Sequence, residues 1–245
     1  MQNWFKWNGV SCLEYGIVVT EQPTITIAKE RVEEVQVPGR SGILHLPEGT
    51  DVYDSVSMTL TCYIRNPAKI WEIAAWLKGE GKIEFANREG GYYYGRLSSE
   101  IAFNKIMRGR QQMTFELEFV CKPFWYSLPV ETVTYTSQGS LLAGEGTVYA
   151  EPIITLVATG DMTLMVNDTT VYLTDLAGNI TLDCAAGIAY SEDDGELSWA
   201  GDKVTLENGE WPTLKGIGQN NLFNWTLETG ATLTSLSVTP NWRYL

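Results

Sequence analysis

Apolar and polar residues alternate strictly in two segments of the first half of the chain, residues 56–64 and 113–121. A period of two places every second side chain on the same face of a strand, so each segment predicts a strand with one buried face. We expect both to be central strands of one sheet. Glu116 and Glu118 fall on the polar face of the second strand, where an exposed polar face is favoured over a catalytic pair of carboxylates.

The pattern changes once, in NPAKIWEIAAWLKGEG (residues 66–81), which predicts a helix. Asn66 can cap the first free amides and Pro67 suits the first helical position. A stripe of apolar residues at helical spacing follows, formed by Ile70, Ile73, Ala74 and Leu77. Trp71 and Trp76 lie beside this stripe, so they either widen the buried face or meet another subunit.

From about residue 128 the chain is rich in Thr and Gly, and short apolar segments are separated by Gly, Asn and Asp turns. Many short strands without a helix predict an all-β sandwich. We therefore expect a mainly β protein with two domains. The first, residues 1–130, is a β domain with one helix and a hairpin, and the second, residues 131–245, is the sandwich.

Charge separates the same two regions. Of the formal net charge of −13, residues 1–130 contribute −1, with 14 Lys and Arg against 15 Asp and Glu, and residues 131–245 contribute −12, with 3 against 15. Nucleic acid is a poor partner for such a chain, because binding a phosphate backbone needs basic residues. Two regions that differ so strongly in net charge are expected to have different binding partners. No apolar run is long enough for membrane insertion or a signal peptide, so we expect a protein that is made and stays in a cytoplasm.

Four cysteines, Cys12, Cys62, Cys121 and Cys184, lie far apart without a C-x-x-C pair. This spacing does not match the usual zinc or dithiol sites. We expect buried free thiols, no metal and no cofactor.

The segment VPGRSGILHLPEG (residues 37–49) contains the only histidine, His45. A phosphate-binding loop leads into a helix, whereas here a strand pattern follows, and Pro and Gly favour a bend between strands. A catalytic triad that needs a histidine would have to use His45. The acidic run SEDDGE does not fit an EF-hand, because its frame has Tyr190 first and Gly201 last. We therefore expect no enzyme.

The order of several motifs resembles that of the distal tail proteins of long-tailed bacteriophages and prophages. The chain begins with WFKWNGV and YGIVV, and the VPGRSG loop precedes GTDVYD. The helix segment leads into GEGKI, and a long strand closes in FVCKPFWY. The chain ends in PTLKGIGQNNLF and then PNWRYL.

This resemblance implies a structural protein rather than an enzyme. Its N-terminal domain would close into a ring of six copies, with a galectin-like C-terminal sandwich outside the ring. The ring would join the tail tube protein above to a tail-tip or tail-associated lysin protein below. The protein would then be assembled in the bacterial host cytoplasm and reside in the virion tail.

Head-to-tail ring interfaces use exposed aromatic and charged side chains. The candidate subunit contacts are Arg40, Trp71, Trp76, Tyr93 in the run Tyr92–Tyr94, and Arg108 and Arg110 in a basic turn. A different function remains open, a carbohydrate-binding module that contacts the host cell surface. It rests on the sandwich and on Trp199, Trp211, Trp225 and Trp242, of which Trp211 and Trp225 are the candidate sugar contacts.

Overall fold

The computed structural model describes residues 3–49, 51–105, 112–193 and 195–245. The chain divides into two compact units, Met1–Leu128 together with Leu245, and Pro129–Tyr244. Both consist mainly of antiparallel strands, which confirms the predicted mainly β fold class. None of the described residues forms a helix of the length and apolar character that a bilayer crossing requires.

The strands of the N-terminal unit are β1 (Phe5–Trp7), β2 (Val10–Ser11), β3 (Ile17–Glu21), β4 (Val32–Val35), β5 (Leu44–Pro47), β6 (Val56–Ile64), β7 (Glu80–Phe85), β8 (Arg88–Leu97), β9 (Asn104–Lys105) and β10 (Met113–Ser127). The main sheet has the order β2-β1-β7-β8-β10-β6-β3, with β9 beside β10, and β4 pairs with β5 separately. In the centre of the sheet Leu117 lies opposite Leu60 and Phe119 opposite Met58. All four side chains are buried, as the alternation predicted.

The predicted helix is present but short. A 3₁₀ turn (Pro67–Lys69) leads into α1 (Ile70–Trp76), and a second 3₁₀ turn (Cys12–Tyr15) lies near the start of the chain. The Asn66 side-chain oxygen accepts a hydrogen bond from the Ala68 N–H at 3.1 Å, which is the expected cap. Ile73 and Leu77 are buried in the core of this unit.

The strands of the C-terminal unit are β11 (Val133–Tyr135), β12 (Ser140–Ala143), β13 (Ile153–Val166), β14 (Thr169–Asp183), β15 (Ile188–Asp193), β16 (Glu196–Trp199), β17 (Val204–Leu206), β18 (Asn220–Leu227), β19 (Thr232–Thr239) and β20 (Arg243–Tyr244), with a 3₁₀ turn at Gly201–Lys203. β13 and β14 form one long hairpin, and most of the other strands of this unit pair with it directly or through one neighbour. The first half of β13 pairs with β19 and its second half with β18. The sheet therefore curls into a sandwich that encloses one core.

The bend in β13 lies at Gly160. Its φ is +78°, a conformation that favours glycine, and the pairing with β14 shifts register between Gly160 and Met162. The Asp161 carboxylate accepts a hydrogen bond from the Asp175 N–H at 2.8 Å and so ties the bend to β14. The short apolar segments ITLVAT and MTLMV, which Gly160 and Asp161 separate in the sequence, are thus one bent strand.

Arg243, in the terminal motif PNWRYL, is buried within the C-terminal unit. Its guanidinium donates to the Tyr149 carbonyl at 2.8 Å and to the Glu151 carboxylate at 3.0 Å, and it lies over the Tyr149 ring. A buried charge needs partners of this kind. The motif therefore fixes the last residues of the sandwich.

Candidate interaction surfaces

The hairpin arm, residues 32–47, is a two-stranded ribbon separate from the main sheet. Its strands pair from Val32 with Pro47 to Val35 with Leu44. Every residue of the two strands is exposed or half-buried, and Ile43 and Leu46 expose apolar side chains. A lone two-stranded hairpin is marginally stable in water, so contact with another surface would stabilise the arm.

The loop VPGRSG forms the tip of the hairpin arm. The Arg40 N–H donates to the Val37 carbonyl at 3.1 Å and closes a turn, and Gly39 and Gly42 take φ values of +80° and +85°. A strand follows rather than a helix, so the loop is a bend between strands and not a phosphate-binding loop. The Arg40 side chain is exposed and makes no ion pair within the described part of the chain.

The base of the hairpin arm is attached to the neighbouring segment around Val52. The Arg31 N–H donates to the Val52 carbonyl at 2.9 Å, and the Arg31 carbonyl accepts from the Glu48 N–H at 3.2 Å. The Arg31 guanidinium lies 3.1 Å from the Asp54 carboxylate and 3.7 Å from that of Glu48. These ion pairs are half-exposed and contribute little stability, so the backbone bonds fix the position of the base.

His45 lies on the exposed arm, opposite Glu34 on β4. It makes no hydrogen bond with a serine or an aspartate among the residues that the structure describes, so its neighbours do not form a hydrolase triad. Over the same described ranges, no group of three or more His, Cys, Asp and Glu side chains could hold a metal ion.

The two helix tryptophans have opposite environments. Trp76 is half-buried and stacks on Tyr15 and Phe5, with ring centroids 4.5 and 5.6 Å apart, so it widens the buried face. Trp71 is 82% exposed. Of the pair, Trp71 is the side chain available to a partner.

Tyr93 is 2% exposed, which removes it from the candidate surface. Its hydroxyl accepts a hydrogen bond from the Arg88 guanidinium, which also lies over the Tyr93 ring. Tyr92 is buried as well and stacks on Tyr126, while Tyr94 is half-buried. Burial on both faces of β8 explains why the alternation of this run did not place Tyr93 outward. Arg108 and Arg110 lie outside the described residues.

The polar face of β6 and β10 bounds a shallow depression of about 650 Å³. Glu100, Glu116 and Glu118 lie along it, between threonine and serine side chains that include Thr59 and Thr61. Glu118 and Glu116 alternate with buried Leu117 and Phe119, as on any half-buried strand. The depression is therefore an acidic, hydroxyl-rich surface.

The candidate sugar contacts of the C-terminal unit are largely inside it. Trp225 is 6% exposed and lies in the sandwich core, where it cannot stack on a sugar ring. Trp211 is half-buried and packs against the same core. We therefore remove Trp225 from the candidate contacts. Trp242 is buried as well, and of the four tryptophans behind the sugar-binding alternative Trp199 is the one that is largely exposed.

All four cysteines are buried free thiols. Burial raises the pKa of Cys62, Cys121 and Cys184 to about 12 each and also raises that of Cys12. A thiol is nucleophilic only as the thiolate, so these side chains are protonated and unreactive at neutral pH. They act as small apolar core residues.

The sequence predicts the segment ELSW (residues 196–199) as a short strand, with Trp199 among the tryptophans that favour the carbohydrate-binding alternative, but it gives no reason to expect a contact at Leu197. In the structure Leu197 and Trp199 are each 68% exposed on strand β16. Their alternation with Glu196 and Ser198 resembles that of any half-buried strand, and only the edge position of β16 distinguishes them.

The structure thus defines a mainly β protein with two units, a sheet domain carrying one helix and a separate hairpin arm, and a β-sandwich. No model of a known protein family matches the chain. A search of curated protein sequences also finds no match.

Solved structures do match over the whole length. The crystal structure of the SPP1 Dit (gp 19.1) protein, a paradigm of the hub adsorption apparatus in phages that infect Gram-positive bacteria, superposes with a TM-score of 0.72 at 14% identity and covers 100% of both chains. A chain of the phage P2 baseplate, in its activated conformation with Ca, matches with a TM-score of 0.58 at 8% identity and covers 97% of both chains. The chain therefore shares the fold of these two phage proteins, as the resemblance to distal tail proteins implied.

Proposed function

We propose that this protein is a structural component of a phage tail, in which six copies form a ring that joins the tail tube to the tail-tip or host-adsorption apparatus. The observation that carries the proposal is the match to SPP1 Dit over both complete chains. Both units take part in the match, because it covers the whole of this chain. Similarity confined to one of the two units would not cover both complete chains.

The partners in this proposal are other copies of the chain, a tail tube protein, and a tail-tip or tail-associated lysin protein. The near-neutral N-terminal unit would supply the ring contacts, because its 14 basic and 15 acidic residues allow opposite charges to meet across an interface. The strongly acidic C-terminal unit would repel its own copies and so favours a peripheral position. Assembly would take place in the host cytoplasm, and the mature location would be the virion tail.

The hairpin arm is the element best suited to contact a neighbouring copy. It exposes apolar side chains, including Ile43 and Leu46, and it has a charged tip at Arg40. A neighbouring surface would cover the apolar side chains, and a carboxylate on that surface would pair with Arg40. Trp71 would add an exposed aromatic contact of the kind enriched at interfaces.

Replacing Arg40 with glutamate is expected to weaken assembly at least tenfold while leaving the fold unchanged. The reversed charge would face the carboxylate that Arg40 pairs with, whereas within its own chain Arg40 makes no described ion pair. Sedimentation velocity at several concentrations measures the change in assembly, and circular dichroism checks the fold.

Arg65→Glu is the matched control, because Arg65 is also an exposed arginine of the N-terminal unit and undergoes the same charge change. It is expected to assemble like the unaltered protein. Assembly of Arg40→Glu equal to that of Arg65→Glu would exclude Arg40 from the interface.

A further inference from the structure

Strand β16 (Glu196–Trp199) has one free edge. It pairs with β15 on one side, and among the described residues no strand pairs with it on the other. All four of its side chains are exposed. Free sheet edges are templates for pairing with another chain, and natural proteins usually protect them.

The backbone groups of Leu197 and Trp199 point toward this free edge. The Ala200 N–H donates to the Ala189 carbonyl at 3.1 Å, so these two residues form a hydrogen-bonded pair of the antiparallel ladder. Such pairs alternate with non-bonded pairs, and the register makes Ser191 and Ser198 the next bonded pair. Leu197 and Trp199 occupy the non-bonded positions, where N–H and C=O groups face away from β15.

The side chains of the same two residues form an apolar surface. Leu197 and Trp199 are two residues apart and therefore share one face of the strand. The Trp199 indole lies against the backbone of Gly201 so closely that a Cβ there has no room. On the other face, the Ser191 and Ser198 hydroxyls lie 2.7 Å apart and join the two strands.

Charge indicates the chemistry of what this edge would bind. Glu196 lies on the face opposite Leu197 and Trp199, and it forms no ion pair within the described ranges. Residues 131–245 carry 15 acidic and 3 basic residues. A second copy of this edge would bring like charges together, so the complementary strand is basic and belongs to a different protein.

We propose that the free edge of β16 binds an extended segment of a partner protein as an added antiparallel strand, with apolar and basic residues in alternation. The backbone of Leu197 and Trp199 would hydrogen-bond to the segment's apolar residues, whose side chains would lie on Leu197 and Trp199. The segment's Lys or Arg side chains would lie on the Glu196 face. Strand addition of this kind combines main-chain affinity with selection of alternate side chains. The proposal does not depend on ring formation.

A fluorescein-labelled peptide of four Lys-Val repeats is a direct probe, with binding to the full-length protein followed by fluorescence anisotropy. Two N-methylated versions provide matched controls that leave the protein unchanged. In the added strand the valine N–H groups face β16, and the lysine N–H groups face solvent. Methylation of the valine nitrogens is expected to weaken binding at least tenfold, and methylation of the lysine nitrogens is expected to have little effect.

Protein variants test the same edge from the other side. Leu197→Pro removes the outward N–H without breaking a bond to β15, because proline is tolerated where an edge N–H faces solvent. It is expected to bind the peptide at least tenfold more weakly than Leu197→Ala, which keeps the N–H. Trp199→Ala should also weaken binding, whereas Trp71→Ala, which removes an exposed tryptophan of the N-terminal unit, should not.

Three results would overturn the proposal. The first is an absence of peptide binding to the unaltered protein, and the second is equal binding of the two N-methylated peptides. The third is an affinity of Leu197→Pro and Trp199→Ala for the peptide equal to that of Trp71→Ala. In that case the binding would be a general attraction between a basic peptide and an acidic protein.

Discussion

Replacing Trp225 with alanine is expected to lower the free energy of unfolding of the C-terminal unit by about 3–5 kcal/mol. Trp225 is buried on β18, opposite Leu164 of β13, and belongs to the sandwich core. Its removal would leave a cavity that rigid strands on either side cannot fill. Hydrogen exchange of peptides from β13 and β14, measured by mass spectrometry over a series of urea concentrations, reports the stability of this unit in the full chain.

Trp199→Ala is the matched control, since it makes the same change at an exposed position of the same unit. It is expected to alter stability by no more than about 0.5 kcal/mol, as is usual for surface substitutions. Equal stability of the two variants would show that Trp225 is not a core residue, and its role as a sugar contact would then need to be considered again.

Replacing Asn221 with alanine is expected to cost about 3–4 kcal/mol of the stability of the same unit. Asn221 is fully buried, and its side-chain oxygen accepts hydrogen bonds from the Lys215 N–H at 2.6 Å and from the Asn167 side-chain nitrogen at 2.9 Å. Its nitrogen donates to the Leu142 carbonyl at 3.3 Å and to the Lys215 carbonyl at 3.1 Å. Each lost bond contributes about 1 kcal/mol, and the partners left behind are part-buried polar groups.

The control for Asn221 is its neighbour Asn220, which is exposed on the same strand. Asn220→Ala is expected to keep the stability of the unaltered protein in the same exchange measurement. If Asn221→Ala destabilises the unit no more than Asn220→Ala does, the hydrogen-bond network around Asn221 does not support the sandwich.

These bonds also give a physical reason for part of the motif PTLKGIGQNNLF. Asn221 joins the loop at Lys215 to β12 at Leu142, and Asn167 at the tip of the β13–β14 hairpin adds a bond to the Thr213 carbonyl. The motif therefore closes one end of the sandwich. Its buried asparagine, Asn221, has a structural role in these hydrogen bonds.

Local patterns were sufficient to predict the elements whose cause is local. The alternation in β6 and β10 predicted their buried faces, and Asn66 with Pro67 predicted the start of the helical segment. The glycines of the VPGRSG loop and the strand that follows predicted a bend rather than a phosphate-binding loop.

Features that depend on distant neighbours could not be read from the pattern. Gly160 looks like a turn in the sequence, but both sides of it pair with β14, so it becomes a bend within one strand. Tyr93 on β8 and Trp225 on β18 look like candidate contacts in the sequence, but both side chains are buried in the folded chain. Leu197 and Trp199 form a shared contact surface only because β16 is at the edge of its sheet, and strand order is a property of the whole fold.

The central claim, that this protein forms a ring in a phage tail, is tested most directly by its mass in solution. Static light scattering at several protein concentrations gives that mass without assuming a shape. The ring predicts a mass that rises to about six times the 27.3 kDa of one chain and then stays constant. The mass of a single chain at every concentration would contradict it.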